Sequence, residues 1–239
     1  MNLTIPIPKR LSVVEDDVDS GKMLCRRLSS KGYEVEVITP SSPLLADTIE
    51  MVVNSSDAAL CDHRLKEGLA VSFSGAELVA ALYAIEFPAL LFTGVQPEEK
   101  YAIRRNMAQI PGFLHRDDEG GLGPDRVLGV LQDTIQEVLG KEPPPHRRAR
   151  RTPVTVISSR LTGGEALVEI LISGWSGGRV IEVPADLLSG SWRQTPREAV
   201  GKTFFAWVNL GENDSDLVFL RDVESEAIET CSFFDSDEA

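Results

Sequence analysis

The sequence predicts an α/β chain: a five-stranded, parallel, doubly wound sheet followed by a small β-rich, barrel-like domain. Three observations point there. Across residues 1–140, five short apolar runs alternate with five segments of helical periodicity. Parallel neighbours need long crossovers, and strands that are apolar on both faces need helices on both sides. Next, KEPPPHRRARR (141–151) brings three successive prolines, which cannot continue a helix and favour extended chain. Beyond it, short strand-like runs separated by glycine pairs replace the helical period.

The elements follow in order. LSVVE (11–15) is a strand bounded by charge, and SGKMLCRRLSS (20–30) puts Met23, Leu24 and Leu28 on one helical face before Gly32. EVEVIT (34–39), DAALCD (57–62), PALLFTG (88–94) and IPGFLH (110–115) are the remaining strands of the first domain. PLLADTIEMVV (43–53), GAELVAALYAIEF (75–87), PEEKYAIRRNM (97–107) and PDRVLGVLQDTIQEVL (124–139) are its remaining helices. After the prolines, TPVTVISSR, EALVEILISG, GRVIEVPADLL, KTFFAWVNL and DLVFLRDVE read as strands, with turns at Gly163–Gly164, Gly177–Gly178 and Asn213–Asp214. One helical turn is expected within LLSGSWRQTPREAVG (187–201). The expected division is therefore 1–140, a Pro/Arg-rich linker 141–152, a β-rich domain 153–230 and an acidic tail 231–239.

Charge supports that division and excludes several functions. The 239 residues carry 24 Lys and Arg against 37 Asp and Glu, a formal net charge of −13. Counted by segment, residues 1–140 carry −8, residues 141–151 carry +4 and residues 152–239 carry −9. Affinity for nucleic acid rests on cations that neutralise phosphates, so no nucleic-acid partner is expected. The second domain also lacks a helix-turn-helix pattern, a Walker motif and a cyclase motif. Arg147, Arg148, Arg150 and Arg151 read as a linker docking on acidic neighbours. No apolar stretch is long enough to span a bilayer, so the expectation is a cytoplasmic protein without a membrane partner. Cys25, Cys61 and Cys231 lack metal or redox spacing and read as core residues or free thiols. Trp175, Trp192 and Trp207 all lie in the β-rich domain, as core anchors or a partner-binding surface.

In an open parallel sheet, ligands collect beyond the carboxyl ends of the strands. Those ends carry Glu15, Asp16 and Asp17 after the first strand, Asp62 after the third, Thr93 and Gly94 after the fourth, and His115 and Arg116 after the fifth. Converging carboxylates repel one another unless a cation joins them, and hard oxygen ligands suit Mg²⁺. Asp17 reads equally as a helix cap. His63 and His115 read as polar rim residues, since neither has the paired spacing of a zinc site.

With VVEDD, ALCDHRL, LLFTG and GFLHRD in this order at strand ends, residues 8–140 resemble the CheY-like receiver domain of response regulators in two-component signalling. Thr93 follows Asp62 by 31 positions and Arg116 follows it by 54. The resemblance implies a flavodoxin-like receiver in which Asp62 is the phosphoacceptor, charged by a histidine kinase or a phosphotransfer protein of a phosphorelay. It implies that Glu15, Asp16, Asp62 and the backbone carbonyl of Arg64 hold Mg²⁺, that Thr93 binds a phosphoryl oxygen, and that Phe113 is a switch aromatic. Activity would be limited to Mg²⁺-dependent self-phosphorylation and self-dephosphorylation, with a downstream protein partner and a homodimer as further expectations.

The chain departs from the family in three places. Arg116 stands where lysine is usual; lysine is a compact charge, arginine a longer planar fork. Asp117, Asp118 and Glu119 add negative charge beside the site, and the loop HRLKEGLAVSFSG after Asp62 is some five residues longer than the common form. Two alternatives stay open: a phosphate sink that drains a kinase, and a pseudo-receiver that works by docking alone. A guanidinium occupying the ion's place would favour docking.

Overall fold

A computed structural model describes residues 8–65, 71–94, 99–116, 122–175 and 180–228. The chain divides into two compact units, Met1–Arg147 and Arg148–Ala239.

The first unit is a flavodoxin-like α/β domain. Its strands are β1 (Arg10–Val14), β2 (Glu34–Ile38), β3 (Ala58–Asp62), β4 (Ala89–Thr93) and β5 (Gly112–His115), and its helices are α1 (Val18–Ser29), α2 (Leu45–Ser55), α3 (Gly75–Ala84), α4 (Lys100–Asn106) and α5 (Pro124–Val138). All strand pairs are parallel, in the order β2-β1-β3-β4-β5. That order reverses direction between β1 and β3, which opens a crevice at their carboxyl ends. The ten elements expected from the sequence are present. Burial explains the strand pattern: β3 and β4 are buried at every position because helices cover both faces. Edge strand β2 instead alternates, with Glu34 and Glu36 turned outward.

Helix ends are set by capping chemistry. Asp17 accepts from the backbone N–H of Asp19 at 2.9 Å and of Ser20 at 3.4 Å, so it starts α1. Ser74 and Glu77 form a reciprocal capping box at the start of α3. The 75–87 helix read from the sequence ends earlier, at Ala84, where Glu86 takes a left-handed backbone with φ of 61°. α4 closes in a 3₁₀ turn, Met107–Gln109. Leu11, Val13, Leu28, Leu60, Leu90 and Phe92 form the centre of one apolar core with α1 and α5.

The second unit is a curled antiparallel sheet, a half-barrel in the order β10-β9-β6-β7-β8. Its strands are β6 (Arg150–Thr162), β7 (Glu165–Ile172), β8 (Val180–Pro184), β9 (Thr203–Val208) and β10 (Leu220–Arg221). Gly163 and Gly164, at φ of 60° and 85°, form the two-residue hairpin between β6 and β7. A register shift between Val156 and Ser158 marks a bulge, which increases twist and bends the sheet. The expected helical turn is a 3₁₀ turn, Gly190–Arg193. The run 216–224 yields only two strand residues. Asn209 ties the chain ahead of β10 by accepting from the N–H of Phe219 and donating to the carbonyl of Leu217, and Asp222 ends the strand at φ of 50°.

Trp175 is buried and donates to the carbonyl of Glu212, and Trp192 donates to the carbonyl of Ser225 and packs on Phe204. Trp207 is 40% exposed. Within the Pro/Arg stretch, Arg147 belongs to the first unit, where its guanidinium is buried against Glu137. Arg151 pairs with Glu224 in the second unit and stacks over Phe205. Cys61 is buried, and burial holds its thiol far above the ordinary range; Cys25 is half-buried. Cys231, the Gly177–Gly178 turn, Asp117 to Glu119 and the tail 231–239 lie outside the described residues, as do residues 66–70 of the long loop. Among the described residues, no helix is long and apolar enough to cross a membrane.

Candidate functional site

The carboxyl ends of β1 and β3 are adjacent because the two strands pair directly, Val14 opposite Cys61. The next residues, Glu15 and Asp62, therefore emerge side by side. Glu15, Asp16 and Asp62 each place one carboxylate oxygen within 4.8 Å of the others. Glu15 and Asp62 are buried, whereas Asp16 is half-buried. Asp17 is consumed by the cap of α1 and stands outside this group.

Arg116 enters from β5. Its backbone N–H donates to the carbonyl of Thr93 at 3.0 Å, extending the β4–β5 ladder by one rung. Its guanidinium then bridges the two buried carboxylates: one Nη donates to Glu15 Oε2 at 2.9 Å and to Asp62 Oδ1 at 3.0 Å. The same guanidinium lies 5.1 Å above the Phe92 ring, and its Nε has no partner among the described residues. The contacts of Arg116 use one oxygen of each carboxylate. The second oxygen of Asp62 accepts the backbone N–H of Arg64 at 3.2 Å.

The β3–α3 connection is tied to the start of α4. Arg64 makes a bidentate pair with Glu99, at 2.7 and 3.1 Å, and donates to the carbonyl of Gly94 at 3.2 Å. Thr93 is buried at the end of β4, beside the site. Phe113 is half-buried on β5 with its ring edge-on to His115, 4.8 Å between centroids. His63 is buried next to Asp62; neither it nor His115 belongs to the group of convergent ligand atoms.

The electrostatics follow from burial. Loss of hydration pushes the Glu15 carboxyl up to about 7, helped by the Asp62 charge and opposed by Arg116. Loss of hydration likewise raises Asp62 to about 6, against the pull of Arg116 and the backbone donors of Arg64 and His63. A single guanidinium cannot balance two buried carboxylates, so the pair retains a proton near neutrality. The native pair thus holds protons that the unfolded chain has released above about pH 4 to 5. Stability of the metal-free protein should therefore fall as pH rises through about 5 to 7, the reverse of the effect of Asp17 and Asp57. Hydrogen bonds hold those two carboxyls below their ordinary range, and their stabilisation is lost only in acid. Urea midpoints measured across that window without metal should decline; a rising midpoint would contradict this balance.

The donor set suits a small hard cation, since three carboxylate oxygens converge and such ions prefer oxygen ligands. Two residues that sequence reasoning did not single out contribute. Glu99 clamps Arg64 from 35 positions away, and no spacing rule reports such a pair. Gly75 packs the start of α3 against the backbone of Asp62, with its N–H donating to the carbonyl of His63 at 2.9 Å; a glycine opening a helical run was the signal available.

No protein-family model and no curated protein matches the chain. Solved structures are similar to it. The signal receiver domain of a modulated diguanylate cyclase from Desulfovibrio desulfuricans aligns at 21% identity and TM-score 0.44, covering 57% of this chain and all of that one. A CheY-like response regulator receiver domain protein from Methanospirillum hungatei aligns at 20% and 0.41, covering 56% and 98%. A response regulator protein from Burkholderia pseudomallei, solved with a phosphorylated aspartic acid, a calcium ion and citrate, aligns at 19% and 0.41, covering 56% and 72%. The likeness is one of fold: the chain's N-terminal unit, with its β2-β1-β3-β4-β5 sheet, is similar to the receiver domains of response regulators.

Proposed function

We propose that the N-terminal unit is a phosphoacceptor receiver and that the whole chain is a response-regulator-like signalling protein. The observation that carries this reading is the convergence of Glu15, Asp16 and Asp62 at the carboxyl ends of β1 and β3. Asp62 is the nucleophile. Its carboxylate oxygen attacks the phosphorus of a phosphohistidine on a histidine kinase or phosphotransfer protein. The P–N bond breaks with its electron pair left on the imidazole, and an acyl phosphate forms. Mg²⁺, held by Glu15, Asp16, Asp62 and the Arg64 carbonyl, would offset the repulsion between two anions as they meet. Arg116 holds Asp62 Oδ1 and offers further donors to phosphoryl oxygens. The buried Thr93 hydroxyl supplies another donor, and Phe113 is the aromatic whose packing follows it.

The β-rich unit would carry the change to a downstream protein in the cytoplasm, with a homodimer as one assembly. A small phosphodonor plus Mg²⁺ tests the reading by intact mass. One phosphoryl group should add to the native chain and none to Asp62→Asn; no addition to either protein would overturn it.

The Arg116 bridge favours a second reading, a pseudo-receiver that docks without phosphotransfer, because a resident cation already joins Glu15 to Asp62. Under that reading partner binding is insensitive to Asp62→Ala.

A further inference from the structure

One cavity of about 210 Å³ in the first unit lies between α1 and the ends of β4 and β5. Met23 and Leu24 of α1, Phe92 of β4, and Leu122 ahead of α5 give it an apolar lining, with Ser20, Glu15, Arg116 and Arg27 as its polar members. The charges there are not equivalent. Arg116 is already engaged with Glu15 at 2.9 Å and with Asp62 at 3.0 Å. Arg27 is exposed, and among the described residues the hydrogen-bond partner of its guanidinium is the Met23 sulfur at 3.7 Å, a weak acceptor. The cavity therefore combines an apolar lining with an exposed cation whose two-pronged donors lack an anion among the described residues.

We propose that this cavity binds a small amphipathic carboxylate, its head on Arg27 and its apolar body between Met23, Leu24, Phe92 and Leu122. The volume suits a body about the size of a benzene ring or a short acyl chain; an engineered apolar cavity of about 150 Å³ accepts benzene. Arginine matches a carboxylate with two parallel hydrogen bonds, which a neutral amide cannot reproduce. The occupant would touch Glu15 and Arg116, and Arg116 contacts Asp62 at 3.0 Å, so the site would report a metabolite to the acceptor. The binding itself does not depend on phosphotransfer.

Benzoate, hexanoate and neutral benzamide, titrated into the full chain and followed by amide and methyl resonances, test this. Benzoate or hexanoate should shift Met23, Leu24 and Leu122 saturably, and benzamide should not at the same concentrations. Arg27→Gln, an exposed change, should weaken binding about tenfold, the loss expected for one charge-assisted contact. If neither carboxylate shifts these residues, or affinity is unchanged in Arg27→Gln or matched by benzamide, the proposal fails.

Discussion

Gly75→Ala should cost about 3 kcal/mol or more of stability and disrupt the carboxylate site with it. A Cβ at this position would lie 1.8 Å from the carbonyl oxygen of Asp62, 2.6 Å from its carbonyl carbon and 2.9 Å from the Cα of His63. All three are backbone atoms of the strand end that presents Asp62, so no side chain can rotate away. Relief requires α3 to retreat from β3, which also breaks the 2.9 Å hydrogen bond from the Gly75 N–H to the carbonyl of His63. Gly129, inside α5, is the control. A Cβ there meets nothing within 4 Å. Gly129→Ala should stabilise by about 0.5–1 kcal/mol, because alanine loses less backbone entropy in a helix. Urea denaturation of the two variants should move in opposite directions, and a Gly75→Ala midpoint equal to the native one would refute the packing argument.

The second large effect concerns Arg147. Its guanidinium donates to Glu137 at 2.7 and 3.1 Å and to the carbonyl of Ala108 at 3.3 Å, and both side chains are more than 90% buried. Arg147→Met should destabilise the first unit by about 3–5 kcal/mol, because it strands a buried carboxylate. The double variant Arg147→Met with Glu137→Met should recover most of that loss, since an apolar pair of similar volume leaves no uncompensated charge. If the single and double variants unfold at the same urea concentration, the cost belongs to lost packing and the ion-pair account is wrong.

The fold was legible because its determinants are local. Alternating apolar and amphipathic runs report strands and helices, and parallel topology follows from the connections. Strand-end placement of Glu15, Asp16, Asp62, Thr93 and Arg116 was legible for the same reason. Geometry across the site was less so. That the Arg116 guanidinium would bridge both buried carboxylates depends on which rotamer fits against Phe92, and sequence spacing carries no such information. The Arg64–Glu99 clamp and the Arg147–Glu137 pair likewise join residues through the fold. Arg147 read as linker charge because proline and arginine dominate its neighbours, whereas burial is decided by α5 beneath it. The run 216–224 looked like a full strand because apolar residues fill it; Asn209 and the left-handed Asp222 shorten it through hydrogen bonds and backbone angle that hydropathy does not register.

The central claim is that Glu15, Asp16 and Asp62 form a cation site around a phosphoacceptor. Titration of Mg²⁺ with and without beryllofluoride, a phosphoryl mimic, tests it most directly when followed by backbone amide resonances. Tryptophan emission is unsuited, because all three indoles lie in the other unit. Mg²⁺ alone should shift the amides of Glu15, Asp16 and Asp62 saturably at millimolar concentration or below. Adding the mimic should extend the shifts to Thr93 and Arg116 and tighten Mg²⁺ binding. Amides that stay in place under both conditions would mean that Arg116 permanently holds the position of the ion, and the site would then be no acceptor.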